Sequence, residues 1–456
     1  MLKITNPADG KLIRELEEDS PKSVAEKFAR AKKAQPAWAK TSLDSRLAII
    51  RKFRDLVTQK KEALAATLTS EVGKPISQSR NELSGLVPRI DFFLENTAKA
   101  IGEEPAWDDS ASKTREKITH EPLGVIANIS AWNYPYFVGS NVFVPGLLTG
   151  NAILYKPSEF STLTGLAIAD LLHEAGVPKD VFIPLIGGGT IGAELLKQPI
   201  AGVYFTGSYP TGAKIAEAAS RNLMRVQLEL GGKDPVYVTE NVDVKSAAEG
   251  IADGAFYNTG QSCCSVERIY VHEKVYDEFV KHFVETVKTF VVGDPRDDKT
   301  YIGAVTRDAH LAFLEAQVAD AKKKGAKLLV GGNRIKGSGN YFEPTVFVDV
   351  NHTMDLMREE SFGPIIGIQK VRDDAEATAL MNDTAFGLTA GVYCKDEKRA
   401  AGIMAELNAG SVYWNCCDRV SPRLPWAGRG HSGIGSTLSK YGIQAFTQTK
   451  GWHLRG

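Results

Sequence analysis

Apolar residues recur at three- and four-residue spacing through SVAEKFARAKKAQPAWAK and SRLAIIRKFRDLVTQKKEALAATLTSEVG, so residues 21–101 predict helices. A short polar segment, PAWDDSASKTREKITHEPLG, follows, and then the period changes. From residue 125 apolar runs alternate with helical ones: VIANIS, a helix over 135–149, AILYKPS, a helix at 163–175, VFIPLIGG, a further helix, VYFTGS, another helix and VQLELGG. Such alternation predicts a doubly wound parallel sheet with helices on both faces. A second alternating set starts near 236 with helical SAAEGIADGAF, strand RIYVH and amphipathic VYDEFVKHFVETVKTF. In the last, Val275, Phe279, Val280, Phe283, Val284 and Val287 share one face. GDPRDDKTYIG punctuates the chain, a helix is expected over 307–324, and AKLLVGG opens a further α/β unit. The tail, AFTQTKGWHL, alternates as a strand does; with no following strand to pair with, it points to a partner elsewhere, another subunit among the options.

Bulk properties narrow the field. A chain of 456 residues suggests roughly two or three domains, and 43% apolar with 24% charged residues is an ordinary globular composition. Lys+Arg and Asp+Glu both total 55, which leaves no electrostatic case for nucleic acid or for an anionic membrane surface. The opening MLKITNPADGKL is polar and turn-forming, not a secretory segment, and no apolar run approaches the ~20 residues that span a bilayer. Cysteines fall at 263, 264, 394, 416 and 417, without CxxC or other metal-ligand spacing. Adjacent cysteines rarely bond each other, so a reduced, cytoplasmic setting is expected and no metal.

Three stretches could hold a phosphate-bearing ligand. GGGTIG at 187–192 fits G-x-G-x-x-G after an apolar strand, but no acidic residue follows about 20 positions on, so a plain strand-to-helix turn is the competing reading. VYFTGSYPTG at 203–212 is stronger: Gly207 and Ser208 precede a helix beginning about Pro210, whose free N–H groups suit an anion. YKPSE at 155–159 leaves Lys156 and Glu159 at a strand end, where open α/β sheets bind ligands. A carboxylate there accepts the hydroxyls of an adenine ribose; two such charges also read as a surface pair.

Together ISAWNYP, YKPSE, YFTGS, LELGGKDP, FYNTGQSCC, EESFGP, TAFGLTAGV and NCCDRVSPRLPWAG resemble, in order and spacing, the aldehyde dehydrogenase superfamily. The resemblance runs from NPADG to the terminal FTQTK, and LELGGK with F-x-N-x-G-Q-x-C is its most specific part. It implies a Rossmann-type cofactor domain over 1–101 and 122–229, an α/β catalytic domain over 230–435, and a small β arm for oligomerisation from 102–121 and 436–456. It assigns the nucleophile to Cys263, a soft thiol suited to attack on an aldehyde, with Cys264 beside it as buried sulfur. Glu229, flanked by leucines, becomes the general base; on its own it reads equally as an ordinary paired carboxylate. Asn133, which alone could be an Asx-turn before Pro135, becomes the oxyanion donor together with the Cys263 N–H.

The same likeness implies NAD as cofactor, with NADP open. Glu360 would hold the nicotinamide ribose, with Phe362 and Trp132 at that end, and Lys156, Glu159, Gly207, Ser208 and Gly212 would take the adenosine and pyrophosphate. GGGTIG becomes mostly structural. Branches that release the acyl group to coenzyme A lack a glutamate at the Glu229 position, which favours water and a carboxylic acid product over transfer; a non-catalytic nucleotide-binding relative is the rival from another class. The substrate is a small aldehyde. Tyr134, Tyr257 and Trp426 fall where the family lines its tunnel, like the aromatic box of betaine-aldehyde and aminoaldehyde enzymes, but the fourth position is Asn141. A bulky aromatic aldehyde would want the same rings. Asp418 could meet an ammonium and Arg423 or Arg419 a carboxylate, while the absence of a basic residue at Asn141 counts against a semialdehyde. AGRGHSGIGST departs from the family's usual signature, with Gly430 for a lysine and Ser436-Thr437 for Arg-Glu, which bears on whether the expected homo-oligomer is a dimer or a tetramer.

Overall fold

The apolar runs VIANI and AILYK become strands Val125–Ile129 and Ala152–Lys156, buried at every position, as in a parallel sheet covered on both sides. The structure is a computed structural model and describes residues 1–417 and 419–455. These strands sit centrally in a six-stranded sheet ordered Gly433–Ile434, Arg225–Glu229, Gly202–Thr206, Val125–Ile129, Ala152–Lys156, Phe182–Pro184. Five strands are parallel; Gly433–Ile434 is antiparallel to Arg225–Glu229. From Val125–Ile129 the chain winds first to one side and later to the other. The carboxyl ends of Val125–Ile129 and Gly202–Thr206 therefore open a crevice at the point where the winding reverses.

The N-terminal region supplies helices Pro21–Lys40, Leu43–Gln59, Lys61–Val72 and Ile76–Ala100. Two buried glutamates from this layer cap helices of the sheet, where a negative charge is favoured. Glu71 accepts from the Leu163 and Thr164 N–H groups at 2.6 and 2.7 Å, at the start of Thr162–Ala175. Glu82 accepts from Tyr136 and Phe137 at 2.9 and 3.3 Å, at the start of Pro135–Leu148.

A seven-stranded sheet forms the second body, ordered Lys327–Val330, Thr345–Val348, Ile365–Val371, Val266–His272, Asp234–Val238, Thr389–Tyr393, Ser411–Trp414. It is parallel except for the Lys327–Val330 edge. Helix Tyr276–Val287 buries Phe279, Phe283 and Val287 against it. Val275, Val280 and Val284 are only half-buried, and Tyr276 joins the buried side.

The tail finds its partner within the chain. Strand Thr447–Arg455 pairs antiparallel with Thr114–Pro122 of the same chain, in register from Thr447↔Pro122 to Arg455↔Thr114. Glu104–Asp109 completes that three-stranded sheet. Its partner lies more than 300 positions back in sequence, out of reach of any local pattern. Between Ile434 and this strand the chain returns to the first core, where Leu438, Ile443 and Phe446 are buried and Phe446 stacks on Tyr204 at 4.3 Å.

Within the second body the chain approaches itself closely at Gly260, whose φ is +70° and where a Cβ would lie 2.2 Å from the Gly363 carbonyl oxygen. Gly260→Ala is therefore expected to destabilise the fold by about 1–3 kcal/mol, through left-handed strain and overpacking. A lowered thermal midpoint is the readout; an unchanged one would contradict this close contact.

Candidate active site

Loops from both sheets enclose a cleft of about 1900 Å³ at that crevice. Its wall includes Trp132, Asn133, Lys156, Glu159, Gly207, Ser208, Glu229, Cys263, Glu360 and Phe362, which brings together residues spread over 230 positions of sequence.

Cys263 follows an unusual turn. Asn258, Thr259 and Gly260 all have left-handed φ, of 55°, 60° and 70°. For a β-branched threonine this is a strained conformation. Surrounding bonds hold it in place: Asn258 N–H donates to Gln78 Oε1 at 2.8 Å, Gly303 N–H to Thr259 Oγ1 at 3.1 Å, and Thr306 N–H to Gln261 Oε1 at 3.0 Å. The turn delivers Cys263 half-buried at the cleft, while Cys264 is buried, 5% exposed, with Ser262 Oγ at 3.4 Å from its sulfur.

Asn133 leaves the end of Val125–Ile129 and is buried. Its Nδ2 donates to the Gln261 carbonyl at 3.2 Å, and Asn258 Nδ2 donates to both the Asn133 and Gln261 carbonyls, at 3.3 and 3.0 Å. A side-chain amide carries two N–H groups, so one remains for another acceptor.

Glu229 ends strand Arg225–Glu229 and is 6% exposed. Its Oε1 accepts from Gln227 Nε2 at 2.8 Å and from Thr437 Oγ1 at 3.2 Å, whereas Oε2 is buried with no partner among the described residues. Desolvation pushes its pKa well above the ordinary carboxylate range, with the Thr437 and Gln227 hydrogen bonds opposing. Such a group gains from receiving a proton.

Toward the other end, Ser208 is the N-cap of helix Tyr209–Ser220, but its hydroxyl makes no capping bond and donates to Thr211 Oγ1 at 3.2 Å. The Gly207 N–H donates to the Glu229 carbonyl at 3.0 Å, tying this loop to the glutamate strand. Lys156 Nζ lies 3.8 Å from Glu159; burial lowers the lysine's pKa while Glu159 opposes. The GGGTIG stretch, expected to be structural, supplies Gly189 and Gly192 to the same wall. Gly212 does not line the cleft. A Cβ there would lie 2.6 Å from the Leu230 side chain, so it permits close helix–strand packing.

Glu360 Oε1 accepts from the Gly232 N–H at 3.0 Å, and burial, with nearby Glu267, pushes its pKa up to about 8. Phe362 meets the Trp132 ring edge-on at 5.5 Å. This segment hangs on a residue the sequence did not reveal. Glu267 accepts from the Ser361 and Phe362 N–H groups at 2.7 and 2.9 Å and from Lys233 Nζ at 2.6 Å. Gln227, Thr437, Asn258 and Gln261 were equally unforeseen. Gln261 and Asn258 carried a signal by sitting inside the cysteine motif, and Thr437 by standing where the family signature is broken; Gln227 carried none.

Of the expected tunnel residues, Tyr134, Tyr257, Arg423 and Trp426 do not line this cleft. Tyr134 lies under the Lys74 ammonium, 3.7 Å from its ring centroid. The Tyr257 hydroxyl accepts from Asn81 Nδ2 at 3.1 Å. Trp426 is 7% exposed and exchanges backbone bonds with Thr437, while Arg423 is exposed. Asp418 lies outside the described residues. Among the described residues no three His, Cys, Asp or Glu side chains group as a metal site, and no helix is long and apolar enough to cross a membrane.

The model of the aldehyde dehydrogenase family matches residues 1–451. The chain belongs to the aldehyde dehydrogenase family. It is 36% identical over 452 residues to betaine aldehyde dehydrogenase 1 of Rhizobium meliloti (strain 1021), covering 97% of this chain and 92% of that protein. Among solved structures it resembles an NAD-dependent aldehyde dehydrogenase from Sinorhizobium meliloti, at 34% identity and TM-score 0.96, covering 100% of this chain and 91% of that one. An E. coli NADP-dependent enzyme matches at 31% identity and TM-score 0.97, covering 100% of this chain and 94% of that one. As an aldehyde dehydrogenase the chain is an oxidoreductase that takes an aldehyde to the acid.

The raised Glu229 pKa has a consequence for stability. A carboxyl that is harder to ionise when folded disfavours the native state progressively as pH climbs above its unfolded value of about 4.3. Glu229→Gln removes that penalty, so its thermal midpoint should exceed the wild type's by more at pH 8 than at pH 5. Equal differences at both pH values would contradict the desolvation of this carboxylate.

Proposed function

We propose that Cys263 is the nucleophile of an NAD-dependent oxidation in which the aldehyde is carried on sulfur, and that Glu229 is the base that releases it. The observation that carries this reading is the convergence on one cleft of a half-buried thiol, an amide with a spare N–H and a desolvated carboxylate. The residues present fit a dinucleotide. The free N-terminus of helix Tyr209–Ser220 suits a pyrophosphate, Lys156 and Glu159 suit an adenine ribose, and Glu360 suits the second ribose. When bound there, the nicotinamide supplies the hydride acceptor. NADP remains open beside NAD, since a relative named for each cofactor matches.

The thiolate sulfur bonds to the carbonyl carbon while the Asn133 amide, with the Cys263 N–H, stabilises the oxyanion. Loss of hydride leaves a thioester. Glu229 then takes a proton from water, which attacks the thioester, and the thiolate departs. The balance is aldehyde, oxidised cofactor and water to carboxylate, reduced cofactor and two protons. The Glu229 carboxylate favours water over coenzyme A as acceptor.

For the substrate, the relatives named for betaine aldehyde support an amino- or betaine-type aldehyde. A second reading comes from the cations that already cover two rings, Lys74 over Tyr134 and Arg89 over Phe137. They favour an aldehyde with an anionic end.

We read residues 1–101 and 122–229 as the cofactor domain, 230–435 as the catalytic domain, and the 102–121 hairpin with the tail as an arm joining two or four copies. The exposed Trp107 and Trp452 on that arm support the last point. Five free cysteines suit the reducing cytoplasm.

Pre-steady-state formation of reduced cofactor tests the chemistry. Cys263→Ala should lose oxidation by roughly a thousandfold or more. Glu229→Gln should give a burst of one reduced cofactor per site and then slow turnover. Near-normal turnover in Cys263→Ala, or an unchanged steady state in Glu229→Gln, would refute the assignment.

A further inference from the structure

Glu229 stands at the end of strand Arg225–Glu229, and Gln227, two positions earlier, shares its face of the sheet. Alongside runs the antiparallel strand Gly433–Ile434, with Gly433 opposite Glu229 and Ile434 opposite Leu228. The chain then passes Gly435, where φ is +82° and a Cβ would lie 3.3 Å from Gln227 Cγ, and brings Thr437 beside the carboxylate. Thr437 is 1% exposed and has little freedom. Its N–H and carbonyl exchange bonds with Trp426 at 2.9 and 2.8 Å, and a Cβ at Gly442 would lie 2.5 Å from its carbonyl carbon. Leu438 and Ser439, which follow, both hold a left-handed φ, of 60° and 53°. A hydroxyl on so constrained a backbone has a preset direction, toward Glu229 Oε1 at 3.2 Å.

Two donors meet on one oxygen. Gln227 Nε2 at 2.8 Å and Thr437 Oγ1 share Oε1, which leaves Oε2, without a partner among the described residues, to take a proton. An amide and a hydroxyl stay neutral across the working pH range. Among the described residues the elements packed on this strand bring no charge to Glu229. Strand Gly202–Thr206 sets Thr206 opposite it, Gly433–Ile434 sets a glycine there, and Lys214 and Glu217 of helix Tyr209–Ser220 are exposed, as is Arg225 at the far end of its own strand. Cys263, Lys156 and Glu360 share the cleft wall with it. Burial drives the Glu229 pKa well up, and the Thr437 and Gln227 bonds oppose that rise. A donor to a carboxylate favours its ionised form, so these two side chains keep a deeply buried acid able to ionise.

We propose that Thr437, with Gln227, is a positioning residue for hydrolysis of the thioester: by occupying Oε1 the pair makes Oε2 the atom that takes the proton, and keeps the base usable near neutral pH. The inference rests on the reading of Cys263 and Glu229 given above and deepens it. In this step the oxygen of water bonds to the thioester carbonyl carbon as one of its protons passes to Oε2. The C–S bond then breaks, Cys263 departs as thiolate, and the acid product and Oε2 each release a proton to solvent. Thr437 stands where the family signature has a glutamate. A second carboxylate there would repel the ionised base, whereas a hydroxyl stabilises it.

The probe is 4-nitrophenyl acetate, which needs neither the natural aldehyde nor the cofactor. Attack by the Cys263 thiolate releases 4-nitrophenolate and leaves an acetyl thioester. The nitrophenolate burst then reports acylation, and loss of the acetyl adduct, followed by intact-protein mass spectrometry after acid quench, reports hydrolysis. In the wild type the adduct should decay faster as pH rises, up to a plateau. Thr437→Val should leave the burst within about twofold and move the midpoint of decay up by about one pH unit, so that below it the adduct lasts about tenfold longer. Thr437→Ser, which restores the hydroxyl, should keep the wild-type midpoint. Gln227→Met should shift it as Thr437→Val does, and carries the test if Thr437→Val fails to fold. An unmoved midpoint in both hydroxyl- and amide-deleted variants overturns the inference, as does a Thr437→Ser enzyme that behaves like Thr437→Val. Burst and decay slowed together would also overturn it, since that marks a general structural role. A Glu229→Gln adduct that decays as fast as the wild type's, or no adduct on Cys263 at all, overturns the underlying reading as well.

Discussion

The active centre depends on one constraint: the cysteine turn of the second sheet must be fastened to the strand end of the first. Two buried hydrogen bonds do this, Asn133 Nδ2 to the Gln261 carbonyl at 3.2 Å and Asn258 Nδ2 to the Asn133 carbonyl at 3.3 Å, while a third, from Asn258 Nδ2 to the Gln261 carbonyl at 3.0 Å, braces the turn itself. Neither sheet contains the site by itself. The first supplies an amide and a carboxylate, the second a thiol, and the strained turn at 258–260 is the geometry that brings them together. Strain of this sort persists only where the surroundings over-determine it, and here Gln78, Gly303, Thr306 and Gly363 all press on the turn.

Buried carboxylates around this junction serve opposite ends. Glu267 has both oxygens saturated by two backbone N–H groups and a lysine, and so acts as scaffold, fixing the segment that carries Glu360 and Phe362. Glu229 has one oxygen held by Gln227 and Thr437 and one without a partner among the described residues. Satisfied charge rigidifies, and unsatisfied charge stores a tendency to take a proton. The same logic separates Lys74, paired with Glu82, from Arg89, whose hydrogen bond among the described residues runs to the Asn141 amide.

Much of this was legible in the chain. Alternating apolar runs and helical stripes predicted both parallel sheets, and the cysteine motif with LELGG located thiol and carboxylate. What stayed hidden was non-local. The tail strand's partner at Thr114–Pro122 and the Asn141 partner at Arg89 lie far off in sequence, and periodicity reports which face of an element is covered, not what covers it. Asn141 shows the consequence. Read alone it implies that no cation lies there, whereas its amide holds one. Glu267 was illegible for the same reason, as a lone acid in an otherwise buried strand whose partners come from two other loops.

Identifying the sulfur that carries the substrate tests the whole account most directly. Glu229→Gln enzyme mixed with aldehyde and NAD, quenched in acid within the burst and digested, should yield one acyl adduct by peptide mass spectrometry, on Cys263, with Cys264 unmodified. An adduct on Cys264, or no adduct while reduced cofactor has formed stoichiometrically, would contradict it.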